Sequence, residues 1–210
     1  MHIEERKEKR MKSIKAISVL FLLLLVASAL PAAAGVVTVQ FNNAGGNSYN
    51  GVSSYPYNMT VNGQPTELMC IGYNEHVTGG ESWQATPYSV GAYGALIGDV
   101  TKADQLAYLF NLALQDGGQN SDVNAVAWYI NEGVPTLTPS ATALYNQVTG
   151  MQTYPGIANV LFYVPTANQT GWTDGVPQTF LGSTPEPGTL LLLGSGLVGL
   201  AGTLRRKMSA

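Results

Sequence analysis

The sequence predicts an α+β fold: an antiparallel β-sheet or sandwich carrying an inserted three-helix subdomain, with a C-terminal transmembrane helix. Three observations predict it. β-Branched, alternating segments lie on both sides of a central stretch. Within that stretch, from Lys102 onward, the apolar period changes from two residues to that of a helix. Near the end, Gly188–Leu204 runs uncharged for 17 residues. Strands and helices segregated in this way argue for α+β rather than alternating α/β.

The elements follow in order. Val36–Phe41 (VVTVQF) alternates and reads as a strand, and Asn42–Ser54 reads as an Asn/Gly/Ser-rich loop. Tyr57–Val61 and Thr66–Tyr73 read as strands, joined through Asn62-Gly63, a hairpin dipeptide. Glu75–Tyr88, with Gly79-Gly80 and Pro87, reads as irregular. Lys102–Gln115 places Leu106, Leu109, Phe110, Ala113 and Leu114 on one helical face, and Gly117-Gly118 ends it. Ser121 is the expected cap of a second helix, Asp122–Asn131, which Gly133 and Pro135 stop. Ser140 is the expected cap of a third, Ala141–Gln152. Val160–Val164 and Gln178–Leu181 complete the sheet.

Both ends read as addresses. Lys12 and Lys15 precede the apolar segment Ala16–Leu30, followed by Pro31 and Ala32-Ala33-Ala34. This is the order of a secretory signal, with Ala32 and Ala34 as the small residues of the cleavage site and Gly35 the first mature residue. Residues 1–34 are the expected leader, and Met11 is an alternative start because Met11-Lys12-Ser13 opens an ordinary signal by itself. At the other end, Pro185-Glu186-Pro187 precedes the apolar run, and Arg205-Arg206-Lys207 follows it. A 17-residue helix spans about 25 Å, the short end for a bilayer core. The basic cluster would stay on the cytoplasmic side. The two prolines would hold the motif extended outside the helix.

This order of Pro-Glu-Pro, Gly-rich apolar helix and basic cluster resembles the PEP-CTERM sorting signal of Gram-negative bacteria, over Thr184–Lys207. The resemblance implies recognition of Pro185, Glu186 and Pro187 by a membrane-embedded exosortase. The inner-membrane anchor would then be transient, and the protein would finish in the cell envelope or the extracellular matrix.

Between the addresses lies one domain, residues 35–184, of about 150 residues, long enough for a core. It holds nine acidic residues against a single cation, Lys102, for a net charge of −8 that the terminal cations mask in the whole-chain value of −3. A body with one lysine and no arginine does not neutralise phosphates, which excludes nucleic acid as an expected partner. Its Asn, Gln, Ser, Thr, Gly and Tyr content suits an exported surface.

Cys70 is the only cysteine, so the domain has no internal disulfide. Burial in an apolar strand is its simplest reading. Met69-Cys70-Ile71, followed much later by Asn124-Ala125-Val126-Ala127-Trp128-Tyr129-Ile130-Asn131-Glu132-Gly133, also resembles thioester domains of bacterial surface adhesins. In those, a Cys thiol and a Gln amide condense to an internal thioester that an amine opens. The resemblance implies Cys70 and Asn124 as the pair, and here this sequence departs from the pattern. Asn stands four residues before Trp128 where the family carries Gln. One methylene fewer leaves the carbonyl about 1.5 Å short, enough to lose a bonding geometry.

Other candidates are weaker. A Cys70/His76 nucleophile pair lacks an orienting third group. Glu75/Glu81 is an acid pair without a specifying spacing. Asp116, Asn120 and Asp122 are oxygen donors in a Gly-rich loop but lack EF-hand order. Two histidines, one of them in the leader, do not make a His-based zinc site. The expectation is therefore no catalytic set, no metal and no cofactor. The expected role is that of an exported, exosortase-sorted envelope or matrix protein with an adhesive or structural domain. Exosortase and signal peptidase are its processing partners, and exopolysaccharide or surface matrix its possible ligand. A covalent adhesin using Cys70 and a secreted hydrolase are the alternatives.

Overall fold

The computed structural model describes residues 35–166, 177–184 and 196. Residues 34–185 form one compact unit. The leader with Ala32 and Ala34, the motif Pro185–Pro187, the apolar run (apart from Gly196) and the cluster Arg205–Lys207 lie outside the described residues. Among the described residues no helix is long and apolar enough to cross a membrane.

The strands are β1 (Val37–Ala44), β2 (Ser48–Tyr49), β3 (Val52–Ser53), β4 (Tyr57–Val61), β5 (Gln64–Cys70), β6 (Ser82–Ser89), β7 (Val160–Pro165) and β8 (Phe180–Ser183). Six of them close into an antiparallel barrel, β1-β4-β5-β8-β7-β6, while β2 and β3 form a separate two-stranded hairpin. The expected open sheet or sandwich is thus corrected to a closed barrel. Alternation of apolar and polar residues is the same in either architecture. The difference lies in the non-local pairing of β1 with β6, which places Val39 opposite Trp83 and leaves neither strand as an edge. The segment expected to be irregular contains β6: Trp83 and Ala85 point inward, and Pro87 sits near the strand's end without breaking it.

Local chemistry explains the remaining strands. The β4–β5 hairpin turns on Asn62 and Gly63, whose φ values of 49° and 77° are those of a turn that follows the strand twist. In β1, Val39 and Phe41 are buried, and a register shift between Phe41 and Asn43 lets the strand bend round the barrel. Inside, Tyr57 meets Phe180 edge-on at 5.7 Å between ring centroids, and Trp83 lies 5.8 Å from Phe180. Each such buried ring contributes roughly 1.5–3 kcal/mol.

Four helices, not three, are inserted between β6 and β7: α1 (Val90–Ile97), α2 (Val100–Asp116), α3 (Ser121–Glu132) and α4 (Pro139–Thr149). The additional helix, α1, carries two glycines that weaken its local signal. Tertiary packing explains one of them. A Cβ on Gly94 would stand 2.8 Å from the Cα of Val100, so the close approach of α1 to α2 requires glycine there. Tyr93 of α1 stacks on Phe162 of β7 at 3.9 Å, which fastens the helical insert to the outside of the barrel. The caps also differ from expectation. Asn120, not Ser121, caps α3, accepting from Asp122 N. Thr138, not Ser140, caps α4, with Pro139 at its first position. Lys102, the body's only cation, donates from Nζ to the carbonyl of Asn131 at 2.8 Å, satisfying an orphan acceptor in the last turn of α3.

Candidate functional site

Helix α3 docks against the chain that leaves β5. Cys70 makes the last ladder pair of β5, opposite Phe180, and Ile71 N still donates to Thr179 O, so the backbone groups beyond that point need other partners. One stripe of α3 supplies them. Asn124 Nδ2 donates to Cys70 O at 3.0 Å, and Asn131 Nδ2 donates to Ile71 O at 2.9 Å. Glu132 Oε2 accepts from Tyr73 N at 3.2 Å and Asn74 N at 3.4 Å. Trp128, between them on the same stripe, donates from Nε1 to Cys70 Sγ at 3.2 Å. Positions 124, 128, 131 and 132 share a face because four, seven and eight residues are close to whole turns.

The structure therefore brings Cys70, Asn124 and Trp128 together. All three are buried. Asn124 is fully engaged with backbone: its Oδ1 accepts from Tyr55 N at 2.8 Å while its Nδ2 holds Cys70 O. Burial pushes the Cys70 thiol up to about 11, against the Trp128 N–H bond and the nearby Tyr57 and Asn124 side chains, which pull the other way. The Tyr57 hydroxyl, raised by burial and by the facing thiol, donates to Ser53 O.

A pocket of about 260 Å³ opens beside this cluster. Trp128, Tyr57 and Phe41 give it apolar walls, and Tyr73 meets Trp128 edge-on at 5.3 Å. Its polar side chains include Ser53, Glu75, His76 and Gln178. Glu75 and His76 are exposed at the rim, whereas Gln178 is only 5 % exposed. Gln178 Nε2 donates to Glu75 O, and Gln178 Oε1, itself buried, has no partner among the described residues. The carboxyl of Glu75 is held above the usual range by partial burial and by Glu132. Both carboxylates converge on Gly72: a Cβ there would collide with that of Glu75 and stand 3.3 Å from Glu132 Oε1.

The other sequence candidates fall apart on this geometry. His76 lines the pocket, while Cys70 is sealed. Glu75 faces Glu132 rather than Glu81, whose carboxylate accepts from Thr78 N. Asp116 accepts from Gly118 N and Asn120 N, closing its own loop, and Asn120 is engaged as the α3 cap. Among the described residues no group of three or more His, Cys, Asp or Glu side chains is placed to hold a metal ion. Sequence reasoning missed a role for Asn131, Glu132 and Gln178. The first two were available as the helical continuation of the Asn124–Trp128 stripe. Gln178 carries no local signal, since its role depends on where β8 enters the barrel.

The barrel's last strand leads into the tail. Ser183 pairs with Val160, and Thr184 N donates to Asn159 O at 2.7 Å. The family model of the PEP-CTERM protein-sorting motif matches residues 183–207. The chain carries a PEP-CTERM sorting motif. It begins on the final residues of β8, so Pro185-Glu186-Pro187 follows the barrel directly. A PEP-CTERM motif implies export, processing by an exosortase and a transient membrane stage. The match covers the tail and leaves the body to be read from its own residues. No curated protein and no solved structure gives a significant match to the chain.

Proposed function

We propose that this PEP-CTERM protein delivers a non-catalytic, adhesive or structural domain to the cell envelope or extracellular matrix, where exopolysaccharide or another surface polymer is its partner. The observation that carries the reading is the state of Cys70. The body's one thiol is sealed, burial holds it towards the protonated form, and its neighbours Asn124 and Trp128 are engaged in holding α3 to the end of β5. A closed barrel with a docked helical cover supports a stable module better than a working nucleophile. The test is fractionation of producing cells. The processed body is expected in the surface or matrix fraction, and deletion of Pro185–Pro187 should retain it in the membrane. Recovery of the mature body only from cytoplasm would overturn the proposal.

A second reading, a covalent adhesin, draws on one observation: the Asn124 amide bonds the backbone carbonyl of Cys70. Both ends of its amide already hold backbone groups, which weighs against a bond to sulfur. Intact mass decides the matter. A protein lighter by one ammonia that gains methylamine on treatment supports the covalent reading. An unshifted mass, inert to methylamine, removes it.

A further inference from the structure

We propose that the pocket beside Trp128 is a binding site for a primary alkylammonium group, such as the end of a lysine side chain or an amine-bearing polymer. Three features converge on that chemistry. The first is an imbalance of donors and acceptors. The donors nearest the pocket floor are engaged internally: Trp128 Nε1 on Cys70 Sγ, the Tyr57 hydroxyl on Ser53 O, and Gln178 Nε2 on Glu75 O. What is left without a partner among the described residues is an acceptor, Gln178 Oε1, shielded from water just beneath the lining on a side chain 95 % buried, where a missing hydrogen bond costs about 1–3 kcal/mol and a donor that reaches it is favoured. An ammonium offers three donors and no acceptor.

The second feature is charge. Glu75 and Glu132 converge on Gly72 at the pocket's edge, and like charges so placed favour a cation between or beside them. Lys102 of the body does not fill that need, because it is fastened to the carbonyl of Asn131. The whole body, at −8, adds a field that draws cations in.

The third feature is the wall. Tyr73, partly exposed, gives aromatic surface to an alkyl stem and its charged end, and the largely buried Tyr57, Phe41 and Trp128 back that wall. A volume of about 260 Å³ lies just below the range of roughly 300–1,000 Å³ usual for drug-sized ligands, which suits a side-chain-sized group. A bare metal ion fits this site poorly, since it would leave the aromatic walls without a role.

The inference rests on the adhesive reading for its purpose and on the pocket alone for its geometry. It is tested by titrating the full chain, in non-ionic detergent at pH 8, with n-butylammonium chloride. Isothermal calorimetry and tryptophan fluorescence provide the readouts, with n-butanol and equal sodium chloride as controls. Saturable binding of butylammonium, with none by butanol, is expected. Glu75→Gln should weaken it about tenfold, and Gln178→Met several-fold. Glu75 is at the exposed rim, so its variant keeps the test valid if Gln178→Met melts early. N-acetyl-lysine amide and glucosamine then distinguish a protein from a polysaccharide source, and saturable binding of either supports the site. Absence of saturable binding overturns the proposal. Equal binding of butanol does so too, as does unchanged affinity in a folded Glu75→Gln variant. A surface-retained protein that ignores butylammonium sinks the pocket alone, whereas a binding-competent protein found only in cytoplasm sinks the adhesive reading alone.

Discussion

The dock of α3 on residues 70–74 and the pocket next to it share a chain segment and a tryptophan, yet they treat buried polar groups in opposite ways. In the dock, the Asn124 amide has both ends occupied by backbone. In the pocket lining, the Gln178 amide is nearly as buried and has one end without a partner among the described residues. A satisfied buried amide fixes a fold, while an unsatisfied one facing a cavity is a cost that a ligand removes. The contrast separates the residues that hold this molecule together from those left available for a partner.

The dock should be the easier of the two to break. Asn124→Leu leaves the Tyr55 N–H and the Cys70 carbonyl without partners in a buried setting, and about 2–5 kcal/mol of stability should be lost. Urea denaturation followed by far-ultraviolet circular dichroism measures it. A loss below about 1 kcal/mol would mean that these bonds do not hold α3 in place.

A smaller effect is expected at the sulfur. Cys70→Ala removes the acceptor for Trp128 Nε1 and should cost about 1–3 kcal/mol, whereas Cys70→Ser keeps an acceptor and should cost less. The native thiol should also resist iodoacetamide at pH 8 and react only as the protein unfolds, because it is buried and its pKa is pushed up to about 11. Rapid labelling of the folded protein would reopen the reactive reading of Cys70.

What the sequence made legible divides along similar lines. Helix α2 was readable because Leu106, Leu109, Phe110 and Ala113 repeat within a single element, and the β4–β5 hairpin because Asn62-Gly63 has only a few conformations to choose from. Closure of the barrel was not, since it depends on β1 meeting β6 across forty residues, and a strand's alternation does not name its neighbour. The same holds for the site. Cys70, Asn124 and Trp128 were found through a helical spacing and a family resemblance. The pairing of Glu75 with Glu132, and the position of Gln178 beneath them, are set by tertiary structure alone.

The smallest expected effect lies on the pocket side and has the opposite sign. Partial burial and Glu132 raise the Glu75 pKa in the folded protein, so the folded state disfavours the ionised carboxylate. Between the unfolded value of 4.5 and the raised folded value, the native state binds more protons than the unfolded state. Stability from this group therefore falls as the pH rises through that window. Glu75→Gln removes the charge, so the variant should melt slightly above the parent at pH 7, with the gap closing as the pH falls towards 4.5. Paired melting curves across that range test the sign. If Glu75→Gln instead melts lower at pH 7, its carboxylate is stabilising in the free protein, and the repulsion that makes the pocket receptive to a cation is absent.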